Sequence, residues 1–309
     1  MNITIKELKV PSCDGIHELC GKLYIPEGEI RGFFHVVHGM TEYMGRYERI
    51  MTEMADEGWL CFGYDHLGHG YTVNDSSELG FIAEKKGWDL LCRDIKVFSD
   101  KVIGEYSKGN KLPYVLMGHS MGSFIVRLAA EKYVKPDRLI IMGTGGANPA
   151  ADAGLALIAT VKFFRGGKHV SKLVYKLAFG DYNSRFPDNS PTAPGAWLTN
   201  DISVRQKYMR DPLCTYKFSV SAMGDLIRLM KYSNRPAWYK NLDREIPILL
   251  VSGKEDPVGN YGVGIEKIYQ KLSDKGFNAT CRIYENARHE ILNDICREEV
   301  KKDILDFIN

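Results

Sequence analysis

Gly118-His119-Ser120-Met121-Gly122 is a G-x-S-x-G pentapeptide, and its spacing points to a serine nucleophile. An apolar run at 114–117 precedes it, and a stretch with Phe124, Ile125, Leu128 and Ala129 on one helical face follows. In that strand–turn–helix setting the small flanking residues let a sharp turn lift the Ser120 hydroxyl above a sheet. The helix N-terminus beneath then favours developing negative charge. The plain alternative is a Gly-rich turn carrying a capping serine. A serine hydroxyl attacks only when a base removes its proton. Of the eight histidines, His289 fits, because it follows the apolar run at 280–284 by a short loop. In a parallel sheet that places it on the same carboxyl edge as Ser120. His119 adjoins the serine but is expected to point elsewhere on the turn. The acid that orients the base should lie between serine and histidine in chain order. Asp256, beyond the run at 248–251 and stiffened by Pro257, is expected there, with Glu255 as the fallback. Acyl transfer also needs donors for an oxyanion. They are expected from the backbone N–H of Met121 and of Met40, with His38, Gly39, Gly118 and Gly122 shaping the two turns.

The elements that must position these residues follow from apolar periodicity. Strand-like runs fall near 3–10, 21–25, 33–37, 59–64, 114–117, 138–142, 248–251 and 280–284, and helical spacing falls near 47–57, 88–103, 121–133, 262–273 and 294–308. Continuous apolar strands alternating with helices predict a mostly parallel eight-stranded sheet covered on both faces, an α/β fold. Between 147 and 238 only helical stretches, Gly breaks and a Pro-rich segment at 187–194 appear. The expected organisation is therefore a core of 1–146 and 239–309 carrying a helical cap at 147–238. Apolar stripes in the cap (Leu155, Leu157, Ile158, Phe163 and Phe164; Leu173, Val174, Leu177 and Phe179; Met223, Leu226, Ile227 and Met230) are expected mainly to pack, yet a small cap on a sheet edge must cover something, and an apolar cleft between cap and core suits an acyl chain. Lys162, Arg165 and Lys168 could meet a phosphate or be solvated. The Asp65-His66-Leu67-Gly68-His69-Gly70 segment has metal-ligand types, but its glycines suit a tight βα loop, and no metal or cofactor is expected.

Composition narrows the function class. The 309 residues are 44% hydrophobic and 26% charged with a formal net charge of +2, an ordinary globular balance that speaks against a nucleic-acid partner. Seven scattered cysteines without a C-x-x-C pair fit reduced thiols and a cytoplasmic location. No signal-peptide pattern is read at the start, and no apolar stretch approaches the ~20 residues that span a bilayer.

The segments HGMTEYMGRYERI, GYDHLGHG, GHSMGSFIVRLAAEKY, GKEDPVG and NARHEILND resemble, in the same order, the monoacylglycerol lipase and lysophospholipase branch of the α/β-hydrolases. FGDYNSRF, WLTND and YMRDPLC extend the resemblance through the insertion to bacterial members of that branch. The resemblance implies an α/β-hydrolase fold with an inserted helical cap. It puts the family's nucleophile on Ser120, its acid on Asp256, its base on His289 and its oxyanion amides on Met40 and Met121. Met40 departs from the small or aliphatic residue usual after His-Gly, where only the backbone is needed. The expected activity is hydrolysis of a carboxylic ester of a monoacyl lipid, with transient contact between cap and lipid surface. The rivals are a short-chain esterase, an aminopeptidase-type amidase using Asp181, Asp188 or Asp201 for a substrate ammonium, and a non-catalytic binding protein. Haloperoxidase and dehalogenase chemistry rank lower, the latter because it needs an aspartate where Ser120 stands.

Overall fold

A computed structural model describes residues 3–190 and 194–309. The expected strands are all present: β1 (Ile3–Pro11), β2 (Glu18–Pro26), β3 (Gly32–Val37), β4 (Trp59–Tyr64), β5 (Tyr114–His119), β6 (Arg138–Met142), β7 (Ile248–Gly253) and β8 (Ala279–Tyr284). They form one sheet in the order β1-β2-β4-β3-β5-β6-β7-β8. β2 runs antiparallel to β1 and β4, and every pair from β4 across to β8 is parallel.

Burial explains the unbroken apolar runs. β3, β4, β5 and β7 are buried along their whole length, so both sides of each strand must be apolar. Phe33, Val37, Leu116, Ile141 and Leu250 pack with helices α2 (Gly87–Tyr106), α3 (Met121–Lys132) and α9 (Val263–Asp274). Phe34, Val36, Met117, Ile140 and Val251 pack with α1 (Glu48–Asp56) and α10 (Arg297–Ile308). Each such side chain removed from water contributes roughly 1.5–3 kcal/mol. The chain leaves β3 toward β4 on one side and returns to β5 on the other. The β3/β5 boundary is thus a topological switch point, where loops at the carboxyl edge diverge and leave a crevice.

Between β6 and β7 lie α4 (Ala151–Arg165), α5 (Lys172–Phe179), α6 (Ile202–Arg210), α7 (Val220–Ser233) and α8 (Pro236–Asn241). The expected core boundary at 238 falls inside α8. Trp238 there is fully buried and its indole N–H donates to the Arg127 carbonyl on α3 at 2.7 Å. Apolar periodicity cannot show this, because a tryptophan reads the same whether it packs on the cap or on the core. The expected Pro-rich segment at 187–194 lies partly outside the described residues.

Candidate active site

Ser120 sits between β5 and α3 with φ 54° and ψ −119°, a conformation that a side chain rarely adopts. Its N–H donates to the Met142 carbonyl at 2.9 Å, which ties the turn to β6. Neither flanking glycine could carry a side chain. A Cβ on Gly122 would stand 2.1 Å from the Val37 carbonyl oxygen, and one on Gly118 would stand 2.3 Å from the Gly122 carbonyl oxygen. The serine hydroxyl makes no helix-capping bond, so the capping-serine alternative does not describe it.

His289 and Asp256 meet beneath the same edge. His289 Nδ1 lies 2.9 Å from Asp256 Oδ2, with both side chains buried. The Nδ1–H direction is off the line to Oδ2, so the pair is within reach but not aligned; such bonds commonly tighten when substrate arrives. Asp256 also accepts the Val258 N–H at 2.8 Å and faces the Ser252 hydroxyl at 3.4 Å. Glu255 turns away, toward Arg288 at 3.4 Å. The two loops are joined through backbone, Glu255 N–H donating to the Ala287 carbonyl at 2.9 Å.

Met121 is the first residue of α3, where an amide has no acceptor within the helix. The Met40 loop is set by its neighbours. His38 Nδ1 pairs with the Gly39 carbonyl at 2.8 Å while its Nε2 accepts the His66 N–H at 2.9 Å, which fixes a neutral tautomer. The Gly39 N–H donates to Glu42 Oε1. His66 and His69 make bonds within this loop region, to the His38 carbonyl at 3.3 Å and the Leu67 carbonyl at 3.0 Å. Asp65 accepts the Met44 and Tyr71 amides, each at 2.8 Å. Among the described residues no group of three His, Cys, Asp or Glu could hold a metal.

His119 lies behind His289. Its Nδ1 faces Tyr47 Oη at 2.9 Å and Glu42 Oε1 at 3.2 Å, and its Nε2 faces the His289 carbonyl at 3.2 Å. Burial opposes a charged imidazole here, but the Glu42 hydrogen bond and charge outweigh it and raise the His119 pKa. Burial likewise opposes the Glu42 carboxylate, and His119 and Arg46 more than offset that, holding it below the usual range. Arg46 donates to Glu42 at 2.9 Å and to both Glu290 oxygens, at 2.8 and 2.6 Å. Sequence reasoning missed Glu42, Arg46 and Glu290. The i,i+4 spacing of Glu42 and Arg46 just after His-Gly, and an acid directly after His289, were the available signals.

Ser120, His289, Met40 and Met121 line one cavity of about 1100 Å³. Its near end carries Thr41, Glu42, Arg46, Tyr208 and Glu290. The rest is apolar. Leu157, Ile158, Val174, Leu177, Phe179, Met223, Leu226, Ile227 and Met230 of the insertion line it, and Ile158, Val174 and Met223 are at the same time buried in the core. Asp181, Asp188 and Asp201 do not line it. Lys162 pairs with Glu84 at 3.0 Å and Ser221 at 2.8 Å, whereas Arg165 and Lys168 are exposed.

A family model described as serine aminopeptidase, S33, matches residues 28–295. The chain belongs to this α/β-hydrolase family. The hydrolase is 24% identical to a monoglyceride lipase of Homo sapiens, covering 96% of this chain and 87% of that protein. It is 22% identical to a probable lysophospholipase L2 of Haemophilus influenzae, over 92% of this chain and 86% of that one. A thermostable carboxyl esterase from Bacillus coagulans, solved with glycerol, superposes with a TM-score of 0.91 at 28% identity, covering 100% and 99% of the two chains.

Proposed function

We propose that the hydrolase cleaves carboxylic esters of monoacyl lipids, a monoacylglycerol or a lysophospholipid, through Ser120, His289 and Asp256. The observation that carries this reading is the cavity itself: a large, mostly apolar chamber lined by core and insertion that includes Ser120 and a polar group of Glu42, Arg46 and Glu290. An acyl chain suits the first and a hydroxylated or charged leaving group the second. In the mechanism, His289 takes the proton of Ser120 as the hydroxyl attacks the ester carbonyl. Asp256 holds the imidazole tautomer and stabilises its charged form. The Met40 and Met121 amides receive the oxyanion, each worth about 10²- to 10³-fold in rate. The imidazolium then protonates the leaving alcohol, and water activated by His289 releases the acid. Monoglyceride lipases and a lysophospholipase among the relatives support the lipid class.

The insertion also carries the surface expected to meet a lipid layer. Phe163, Phe164 and Leu177 are 82, 75 and 68% exposed on α4 and α5, beside the exposed cations Arg165, Lys168, Lys172 and Lys176. Apolar groups ringed by cations fit transient adsorption to an interface. Among the described residues no helix is long and apolar enough to cross a membrane. All seven cysteines are free, in keeping with the proposed cytoplasmic location.

The deciding experiment is hydrolysis of p-nitrophenyl esters from two to sixteen carbons, wild type beside Ser120→Ala, followed by monoacylglycerols and lysophospholipids. A Ser120-dependent optimum at eight carbons or more supports the lipid reading. An optimum at two to four carbons favours the short-chain esterase. An aminopeptidase would need unpaired acids at the polar end, and Glu42 and Glu290 there are both bonded to Arg46. Failure to react with a fluorophosphonate would leave a binding protein as the better account.

A further inference from the structure

The residue before the base is an arginine, and it is buried. Its guanidinium meets Asp188 of the insertion as a fork, Nη1 to Oδ2 at 2.9 Å and Nη2 to Oδ1 at 3.0 Å. Nη1 also donates to the Ala196 carbonyl at 2.8 Å, and Nε faces Glu255 at 3.4 Å. The plane lies over the Phe186 ring, 4.5 Å from its centre. One side chain thus joins the loop of the base, the loop of the acid and Phe186, Asp188 and the 196–199 stretch of the insertion. Asp188 Oδ2 also accepts from the fully buried Arg205 at 2.9 Å. The Arg288 hydrogen bond is the main cause that holds the Asp188 carboxyl below the usual range. The same stretch touches the base directly. The Glu290 N–H donates to the Leu198 carbonyl at 2.7 Å, and the Trp197 ring lies 5.0 Å from the His289 ring.

A buried cation next to a group that must itself become a cation during turnover is unfavourable unless neutralised. Asp188 and Glu255 neutralise it here. Two parallel charge-assisted bonds also fix direction as well as distance, which an ammonium on a flexible stem cannot do. We infer that Arg288 is a positioning residue: through its fork with Asp188 it makes the orientation of His289 toward Asp256 depend on the insertion being seated over the cavity. This rests on the reading of His289 as the base. It adds to that reading a link between substrate cover and proton transfer.

The test uses the full chain with Asp188→Asn, Arg288→Gln and the double variant. Each is followed by kcat and KM on p-nitrophenyl octanoate and by the low-field proton resonance of His289 Nδ1–H. Each single change should lower kcat about 10- to 100-fold, as a small misplacement of a reacting group does, with KM within about threefold. The double variant should be no slower than the worse single one, because both act through one contact. Arg288→Lys, which keeps charge without the fork, should recover only part of kcat. The resonance should shift or broaden in each variant. Unchanged kcat and resonance in folded Asp188→Asn and Arg288→Gln would overturn the inference, and so would losses that multiply in the double variant. Should Arg288→Gln not fold, Asp188→Asn, at a partly exposed site, carries the test. A wild type without esterase activity would defeat the functional reading instead, and the resonance would then decide the link alone.

Discussion

Ser120 holds a positive φ that costs on the order of 1–3 kcal/mol for a residue with a Cβ. The surrounding contacts over-determine it: Val37, His38 and Gly122 backbone oxygens crowd the glycines on either side. Catalysis and stability should therefore separate at this residue. Ser120→Ala is expected to reduce turnover on the order of 10⁴-fold or more. Ser120→Gly should be equally inactive yet as stable as the wild type or more so, by about 1 kcal/mol, because relief of strain offsets glycine's greater freedom in the unfolded chain. Urea denaturation of the two variants checks this, and a Ser120→Gly midpoint well below that of Ser120→Ala would contradict it. Gly122→Ala should fail differently. Its methyl group would meet the Val37 and His38 carbonyls, so loss of stability should accompany loss of activity.

At the scale of elements, the insertion presents two surfaces whose proposed roles are separable, one facing inward and one outward. Leu226 and Ile227 on α7 face the cavity, so Ile227→Trp should fill space meant for an acyl chain. The expected result is an ester-length optimum moved to shorter chains, with activity on two- to four-carbon esters retained. A uniform loss at every length would mean that the change acts on folding or on the catalytic groups. Phe163 and Phe164 on α4 point to solvent, and replacing both with serine should leave short-ester hydrolysis unchanged. Sedimentation with anionic phospholipid vesicles should fall about tenfold or more for that variant, from the lost apolar contact. Equal sedimentation of the variant and wild type would remove α4 from the docking surface. Element positions in the core were legible in the sequence because strands buried on both faces must be continuously apolar and helices must keep one face apolar. The end of the insertion was not, since α8 and Trp238 belong to the surface of α3 only once the chain is folded.

Over the whole molecule, the buried histidines set the pH range of stability. Burial lowers the pKa of His35 and His69 to about 3, and burial likewise lowers those of His38 and His66. A histidine lowered in the folded state contributes fully above its unfolded pKa of about 6.5. That contribution is lost as pH falls from there toward the folded value, at ~1.4 kcal/mol per proton per pH unit. His119 has the opposite sign, because its pKa is raised: its contribution is complete below about 6.5 and fades as pH rises through the folded value. On the acid side the four lowered histidines outweigh the raised His119 and His17, and the carboxyls that burial raises, Asp65, Asp94 and Asp225, offset part of the effect. The denaturant midpoint should thus drop steeply between pH 6.5 and 4, with uptake of more than two protons on unfolding. A midpoint constant from pH 7.5 to 5 would refute this account.

The sequence by itself determined the sheet, the elbow and the order of the three candidate catalytic residues, because strand burial, helix periodicity and the sterics of a Gly-flanked turn are local properties. Tertiary structure alone decided which groups meet across long separations. Arg46 reaches Glu290 across 244 residues and Arg288 reaches Asp188 across 100, pairings that no spacing encodes. It also decided which parts of the insertion's stripes border the chamber as well as packing on the core. An apolar helix face has the same composition whether it meets another side chain or an empty space shaped for one, and only the relative placement of the helices distinguishes the two.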